Sequence, residues 1–408
     1  MNIWLIKDGE ILPLESNSRK MRTAMLADSL VKEGHQVLWW ASTFFHQKKS
    51  RLFKSNKIIK INDQYQLHLL DAGHYSSNIS IRRLLHHRHL AQRMATAFAD
   101  ERKPDLIICS FPIIEVAYQA ALYAMRYKIP IVLDVRDLWP DLYILKFPKL
   151  LRPLAQLLFQ ASFRKTRFIF QHATGIVAIS QGILNWALKY AQRDQSAYDH
   201  VVYHGYPALP KILPKPSPGL KALLNKLVGK KIFVFTGTFS SAYDLKSICS
   251  VAQQVAKYPE IHFVLAGCGQ SYNETLRSAQ TLRNISMPGW LEQNDLFVLL
   301  KSSYAGLLPW RCIDNAMPNK VFEYMASGLP ILSSSTGDLQ NLIAQYDIGL
   351  TYNALDLKEL EQSIIKLAEN TEYRNILSYN ALSAFTEHFE TSVIYNDYIK
   401  YIEKITGH

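Results

Sequence analysis

Lys320 and Glu323 stand three residues apart in "MPNKVFEYMASGLPI" (317–331), where a short helix would carry both on one side. An ammonium there can neutralise phosphate charge, and a carboxylate almost one turn deeper can accept two hydrogen bonds from a sugar diol. The alternative for the same pair is a solvated Lys–Glu face over an apolar stripe. Pro318 suits the first turn of the helix and Gly328 the residue just past its end. Val321, Phe322 and Met325 are spaced as its buried face, with Lys320, Glu323 and Ser327 on the other.

Two further stretches could do chemistry. In "FVFTGTF" a buried strand runs into a turn at Gly237, where the backbone can approach a ligand and the amides of Thr238 and Phe239 could face a phosphate. "LAGCG" (265–269) repeats the design, although a steric need for glycine explains either turn as well. In "DVRDLWPD" (134–141), Asp134, Arg136 and Asp137 follow an apolar run and so fall at a strand's C-terminal edge. Arg136 could bind a phosphate or acceptor group while Asp137 orients an acceptor hydroxyl. Alternatively, Arg136 pairs with a neighbouring aspartate and fixes the loop. Arg19 and Arg22, at the first strand-to-helix turn, are further candidates for a diphosphate. The chain has neither GxGxxG nor GxxxxGK[ST], which disfavours a dinucleotide dehydrogenase and a P-loop enzyme.

These residues need elements that bring them to the ends of strands. Strand-length apolar runs alternate with helical patterns: "NIWLI" (2–6), "QVLWWA" (36–41), "QLHLL" (66–70), "LIICS" (106–110), "IVLDV" (131–135) and "GIVAIS" (175–180). The pattern predicts a parallel, doubly wound α/β sheet. It breaks at "HGYPALPKILPKPSPG" (204–219), with five prolines and two glycines in 16 residues. A second series follows, from "KIFVFTGTF" (231–239) through "IHFVLAGCG" (261–269), "ISMPGW" (285–290), "YAGLLPW" (304–310) and "PILSSS" (330–335) to "GLTYN" (349–353). The predicted organisation is therefore a Rossmann-like domain over 1–205, a linker over 206–218 and a second Rossmann-like domain over 219–385. A helical segment over 386–408 could pack back on the first domain. Ligands of open α/β sheets bind in the crevice at the strands' carboxyl ends.

The 408 residues are ample for two domains. Residues 1–200 hold 28 Lys+Arg against 16 Asp+Glu and the remainder 18 of each, so the net +12 lies wholly in the N-terminal half. That half is expected to meet an anionic surface. Two basic stretches there, "SIRRLLHHRHLAQRMATAF" (80–98) and "LKFPKLLRPLAQLLFQASFRKTRF" (145–168), suit a headgroup layer or else core helices with solvated faces. In the first, Ile81, Leu84, Leu85, Ala91, Met94, Ala95 and Phe98 mark the apolar side, and His86, His87 and His89 read as a solvated cationic face rather than a metal site. Four scattered cysteines without a CxxC pair fit a reducing compartment, and no run approaches a membrane span. The N-terminus reads as a strand rather than a signal peptide, so the expected location is cytoplasmic. No stacking or recognition motif supports nucleic-acid binding.

"PNKVFEYMASGLPI" resembles the donor-binding segment of retaining glycosyltransferases of family 4, which have the GT-B fold. "RTAMLADSLVKEGHQVLWWAST", "AISQG" (178–182), "FVLAGCG" and "ISMPGWL" are similar to family segments in the same order, and "DVRDLWPD" to a hallmark of a bacterial surface-polysaccharide subgroup. The resemblance implies that Glu323 holds the ribose hydroxyls of a nucleotide sugar. It also places Gly289, Asn319 and Lys320 at that nucleotide. The family's second glutamate stands eight positions earlier; here that position is Asn315, an amide without the negative charge. The family's Arg and Lys of the first C-terminal turn are not evident in "GTFSSAYDLKSI", which leaves Lys320, Arg311 or an arginine of the other domain to balance a diphosphate. A histidine frequent at the end of the central N-domain strand is replaced by Arg136.

The implied activity is a hexosyltransferase-type glycosyltransferase. It moves a sugar, with UDP as the expected carrier, to a polyprenyl-diphosphate-linked saccharide at the inner membrane face, in O-antigen or capsule synthesis. No cofactor and no metal are expected. Retention by front-side attack needs positioning and stabilisation of the leaving diphosphate, since no carboxylate pair of glycosidase kind is evident. A GT-B nucleotide-sugar epimerase and a nucleotide-sugar-binding subunit of low activity are the alternatives.

Overall fold

Ile3 to Ile6, Leu106 to Phe111 and Ile131 to Val135 are buried without a break, the signature of strands covered on both faces. The computed structural model describes residues 1–14, 20–77, 80–311 and 317–407. It divides into two units, Met1–Tyr203 with Tyr395–His408, and His204–Ile394.

In the first unit the strands are β1 (Asn2–Ile6), β2 (Gln36–Ser42), β3 (Phe44–Phe45), β4 (Ser50–Arg51), β5 (Lys57–Asn62), β6 (Tyr65–Leu70), β7 (Leu106–Phe111), β8 (Ile131–Val135), β9 (Gly175–Ala178) and β10 (Asp199–Val201). Eight of them form one sheet in the order β10-β9-β8-β7-β1-β2-β6-β5, while β3 and β4 pair separately. All neighbours in the sheet run parallel except the β5–β6 hairpin. Alternate residues of β1 serve opposite layers. Trp4 and Ile6 pack with Leu90, Met94 and Ala117, whereas Ile3 and Leu5 pack with Leu26, Leu30, Tyr398 and Ile402. The last two come from the C-terminal helix Thr391–Thr406, whose Tyr395 hydroxyl donates to the Arg22 carbonyl at 3.1 Å.

The second unit contains β11 (Lys231–Thr238), β12 (Ile261–Cys268), β13 (Ile285–Gly289), β14 (Ala305–Leu308), β15 (Ile331–Ser333) and β16 (Gly349–Thr351). They form an all-parallel sheet in the order β13-β12-β11-β14-β15-β16. Each unit is thus a Rossmann-like α/β layer.

The helix Ile81–Ala97 is turned differently from the expectation. His86 and His87 are buried with Leu90, Ala91 and Met94, while Ile81, Leu84 and Leu85 face solvent. Asp8 explains the reversal at one position: its Oδ2 lies 3.5 Å from His86 Nε2, and a buried carboxylate needs such a partner. The stretch 145–168 forms short helices, including Arg152–Leu158 and Gln160–Gln171. Leu150 is 93% exposed and Leu158 74%, and Leu145, Leu154 and Leu157 are also exposed. Among the described residues no helix is long and apolar enough to cross a membrane.

Candidate active site

Tyr324 sets the position of the short helix Lys320–Ala326 in the second unit. Its hydroxyl donates to the carbonyls of Leu307 (3.2 Å) and Val234 (3.4 Å) and accepts from the Thr236 amide (3.3 Å), tying the helix to β14 and β11. Gly306 in β14 makes room for the ring, since a Cβ there would lie 2.4 Å from it. The helix ends in a Schellman motif: Leu329 N–H bonds to the Tyr324 carbonyl and Gly328 N–H to that of Met325, with Gly328 at φ +68°. Pro318 precedes the N-cap Asn319 instead of opening the helix.

This anchoring buries every side chain from Val321 to Ala326. Glu323 is 4% exposed, so the solvated Lys–Glu face does not form. The Lys320 ammonium lies over the rings of Tyr243 (4.0 Å to the centroid) and Phe235 (4.8 Å). It is also 3.1 Å from where a Cβ on Gly237 would stand, and Gly237 has φ +109°. Lys320 and the Gly237 turn, read separately in the sequence, therefore meet at one point. Tyr243 was missed by sequence reasoning; its residue type in "SSAYDL" gave no signal, because the contact depends on a bridge between Tyr243 and Trp310.

Other expected members of this site fall out differently. Phe239 donates its amide to the Cys268 carbonyl (2.8 Å) and is fully buried, so it cannot offer that N–H to a phosphate. Thr238 ends β11, is exposed and pairs in register with Cys268. Gly267 and Gly269 answer a steric demand, since a Cβ at Gly267 would lie 1.8 Å from the Gly237 carbonyl oxygen, and one at Gly269 2.6 Å from that of Phe239. Gly289 ends β13 at φ +80° with open space where a Cβ would be. The Asn319 Oδ1 is buried and has no hydrogen-bond partner among the described residues. Arg311 pairs with Asp244 at 2.6 Å, and Asp244 in turn caps the helix Leu245–Gln254. Asn315 lies outside the described residues, as does Arg19.

In the first unit, Asp134 at the end of β8 lies between two guanidinium groups. Arg22 Nε is 3.1 Å from both carboxylate oxygens, and Arg136 Nε and Nη2 reach Oδ2 at 3.0 and 2.7 Å. Burial would raise the Asp134 pKa, but Arg136 and Arg22 overcome it and hold the carboxyl well below the usual range. Arg136 also donates to Glu10 (2.8 Å) and Thr23 (2.9 Å). Arg22, expected near a diphosphate, is instead 3% exposed, with its remaining contacts to the Tyr203 carbonyl and the Tyr398 ring. Its position inside the first turn of the helix Arg22–Lys32 directs it into the layer and not out of the strand edge. Arg136 is engaged in the same network, the structural alternative weighed for it, which fixes the start of the loop carrying Asp137. Asp137 accepts from the Leu138 amide at 2.9 Å, and burial pushes its carboxyl up. Lys7, just after β1, has its pKa pushed down to about 8 by burial and by Arg136. Among the described residues no cluster of three or more His, Cys, Asp or Glu side chains could hold a metal ion.

The family model "Glycosyl transferases group 1" matches residues 230–370, and the model "Glycosyltransferase Family 4" matches residues 21–207. One falls on each unit, and between them they account for most of the chain. The chain is a GT-B glycosyltransferase. No curated protein matches it. Among solved structures, the glycosyltransferase is similar to sucrose-phosphate synthase from Thermosynechococcus elongatus, at 14% identity and a TM-score of 0.76, covering 100% of this chain and 99% of that one. It is also similar to HepE from Anabaena in complex with UDP-glucose, at 15% identity and a TM-score of 0.66, covering 99% and 100%. A third similar structure is WaaG, a glycosyltransferase involved in lipopolysaccharide biosynthesis, at 12% identity and a TM-score of 0.65, covering 100% of both chains. At these identities the likeness carries the fold.

Proposed function

We propose that this glycosyltransferase moves a hexose from a UDP-linked nucleotide sugar to a lipid-linked saccharide in surface-polysaccharide synthesis, with retention of anomeric configuration. The observation that carries the donor half is the meeting of Lys320 with the Gly237 turn, on the same short helix as a buried Glu323. In this reading Lys320 faces the diphosphate, and the open backbone at Gly237 lets it come close. Glu323 accepts from the ribose hydroxyls, and Asn319 and Gly289 border the nucleotide. Donor-bound HepE supports UDP as the carrier, and WaaG supports a surface-polysaccharide role for this fold.

The acceptor half rests on the first unit. Asp137 orients the attacking hydroxyl, and Arg136 is a positioning residue for its loop. As the glycosidic bond to the leaving phosphate breaks, the new bond forms on the same face. The departing diphosphate takes the hydroxyl proton, while Lys320 stabilises its charge. Neither step draws on a cofactor or metal. Exposed leucines over 145–158, with Lys146 and Lys149 among them and Arg164 and Arg167 on the following helix, support peripheral attachment to an anionic inner leaflet, where a polyprenyl-diphosphate acceptor resides.

A panel of nucleotide sugars scored by thermal shift, followed by transfer to lipid-linked acceptors, tests the proposal. Glu323→Ala should weaken donor binding about tenfold or more, and Lys320→Ala should slow transfer more than it weakens binding. Unchanged kinetics in both variants would overturn the donor assignment.

A further inference from the structure

Two basic side chains of the first unit, Lys49 and Arg83, lie against the ring of Tyr75. The Lys49 ammonium lies 5.2 Å from the centre of the Tyr75 ring and 3.3 Å from His46 Nδ1. The Arg83 guanidinium lies 5.8 Å from the same ring and 5.0 Å from that of Trp139. Lys7 bears on His46 together with Lys49 and Arg83, and burial with these charges pushes the imidazole down to about 4, leaving it neutral at pH 7. His46 Nδ1 meets the Tyr75 hydroxyl at 2.5 Å.

The negative charge nearby is committed elsewhere. Asp8 is engaged by His86 (3.5 Å) and by the Ser42 amide (2.8 Å). Asp137, which Lys7 also influences, accepts from the Leu138 amide. Among the described residues no carboxylate forms an ion pair with Lys49. Burial and Arg83 are the influences that lower its pKa. Like charges repel, and an anion bound by both cations relieves the repulsion. Trp139 and Tyr143, 4.7 Å apart on the loop and helix following Asp137, add ring faces beside the cations.

We infer that Lys49 and Arg83 form a binding subsite for an anionic group of the acceptor, a phosphate or a sugar carboxylate, beside Trp139 and Tyr143. The inference rests on the proposed function only in assigning the anion to the acceptor. Lys49 and Arg83 would grip the anion's oxygens, and Trp139 and Tyr143 would stack on the adjoining sugar.

The test titrates the full-length enzyme with inorganic diphosphate and, separately, with glucuronate. Binding is expected to fall about tenfold in Lys49→Gln and to survive in Lys49→Arg, because a guanidinium keeps the charge. Lys320→Gln should leave this binding in place, which separates it from any diphosphate site on the donor side. A loss seen with diphosphate assigns the subsite to the lipid carrier, and a loss seen with glucuronate to an acidic sugar. Equal binding by Lys49→Gln and the unsubstituted enzyme, or no binding of either probe, would overturn the inference. Since Lys49→Gln removes a repelled charge, its thermal stability should match or exceed that of the unsubstituted enzyme, so lost binding cannot be ascribed to unfolding. Absence of sugar transfer, with the Gln/Arg contrast intact, would sink the proposed function and leave the anion subsite standing.

Discussion

Lys320 holds its ammonium 3.1 Å from the point where a side chain on Gly237 would begin. The two positions are 83 residues apart, and the contact exists because Tyr324 pins the helix of Lys320 to the strand of Gly237. Gly237→Ala should therefore act twice. It places a Cβ at φ +109°, which L-residues rarely adopt, and it pushes Lys320 aside. A stability loss of about 1–2 kcal/mol is expected from the backbone. Donor affinity should fall further than that loss explains, as read by nucleotide-sugar titration alongside denaturant unfolding.

Tyr324→Phe removes two hydrogen bonds, one donated and shared between the Leu307 and Val234 carbonyls and one accepted from the Thr236 amide, and leaves the ring packed on Gly306. Each such bond contributes about 0.5–1.5 kcal/mol, and all three partners are backbone groups in a buried layer. Urea unfolding should show a loss of about 1–3 kcal/mol. Donor KM should rise with it, since the helix that carries Lys320 and Glu323 loses its tether. An unchanged KM would mean that packing alone holds the helix.

The readable and unreadable parts of this chain differ in a physical way. Strands β11, β12, β14 and β15 of the second unit follow from buried apolar runs, and "PNKVFEYMASGLPI" marks its helix through Gly328. The edge strand Lys57–Asn62 has no buried residue and pairs two lysines and an asparagine with an exposed Ile58, as suits a sheet edge, so it carries no apolar run to read. The pairing of Arg136 with Asp134, two residues away, is one of the two readings its sequence offers, whereas the fate of Arg22 lies beyond local pattern. Their common partner Asp134 comes from a strand 112 residues after Arg22, and only the parallel register of β7 and β8 puts it there. Helical spacing places His86 and His87 on the solvent side and cannot see the buried Asp8 that meets His86.

Asp134→Asn should be among the most damaging substitutions in the first unit. It leaves Arg22 and Arg136 facing each other in a buried layer without the charge that separates them. The loss of one partner from such a network costs about 3–5 kcal/mol. The pH dependence has the same origin. The folded pKa of Asp134 lies below its unfolded value, so its stabilisation is complete above the ordinary carboxylate range and disappears as pH falls through the folded value. Acid unfolding followed by circular dichroism should be steep in the unsubstituted enzyme and weaker in the variant.

His87 governs a second, milder window. Burial, with Arg83 adding to it, pushes the imidazole from 6.5 down to about 3. Between those values the unfolded chain binds a proton that the folded one refuses, so stability is complete above pH 6.5 and declines as pH falls toward 3. One such group contributes a slope of up to about 1.4 kcal/mol per pH unit. His87→Phe keeps an apolar ring beside Trp139 and removes the titration. Denaturant midpoints measured from pH 7 to pH 5 should fall less in this variant, and parallel curves would show that His87 is not the responsible group.

The exposed leucines make the last prediction, because they set attachment apart from charge. Leu150, Leu154 and Leu158 lie on solvent, and none contributes to the buried clusters of the first unit. Replacing all three with serine should change stability by no more than about 0.5 kcal/mol per position, as for surface substitutions away from packed features. Flotation with vesicles containing anionic phospholipid should then lose most of the bound enzyme, since burying each leucine contributes about 1.5–3 kcal/mol. Raised salt should release what remains, because screening acts on the neighbouring lysines and arginines. Equal flotation of the triple variant and the unsubstituted enzyme would confine the attraction to charge and remove these leucines from the membrane-facing surface.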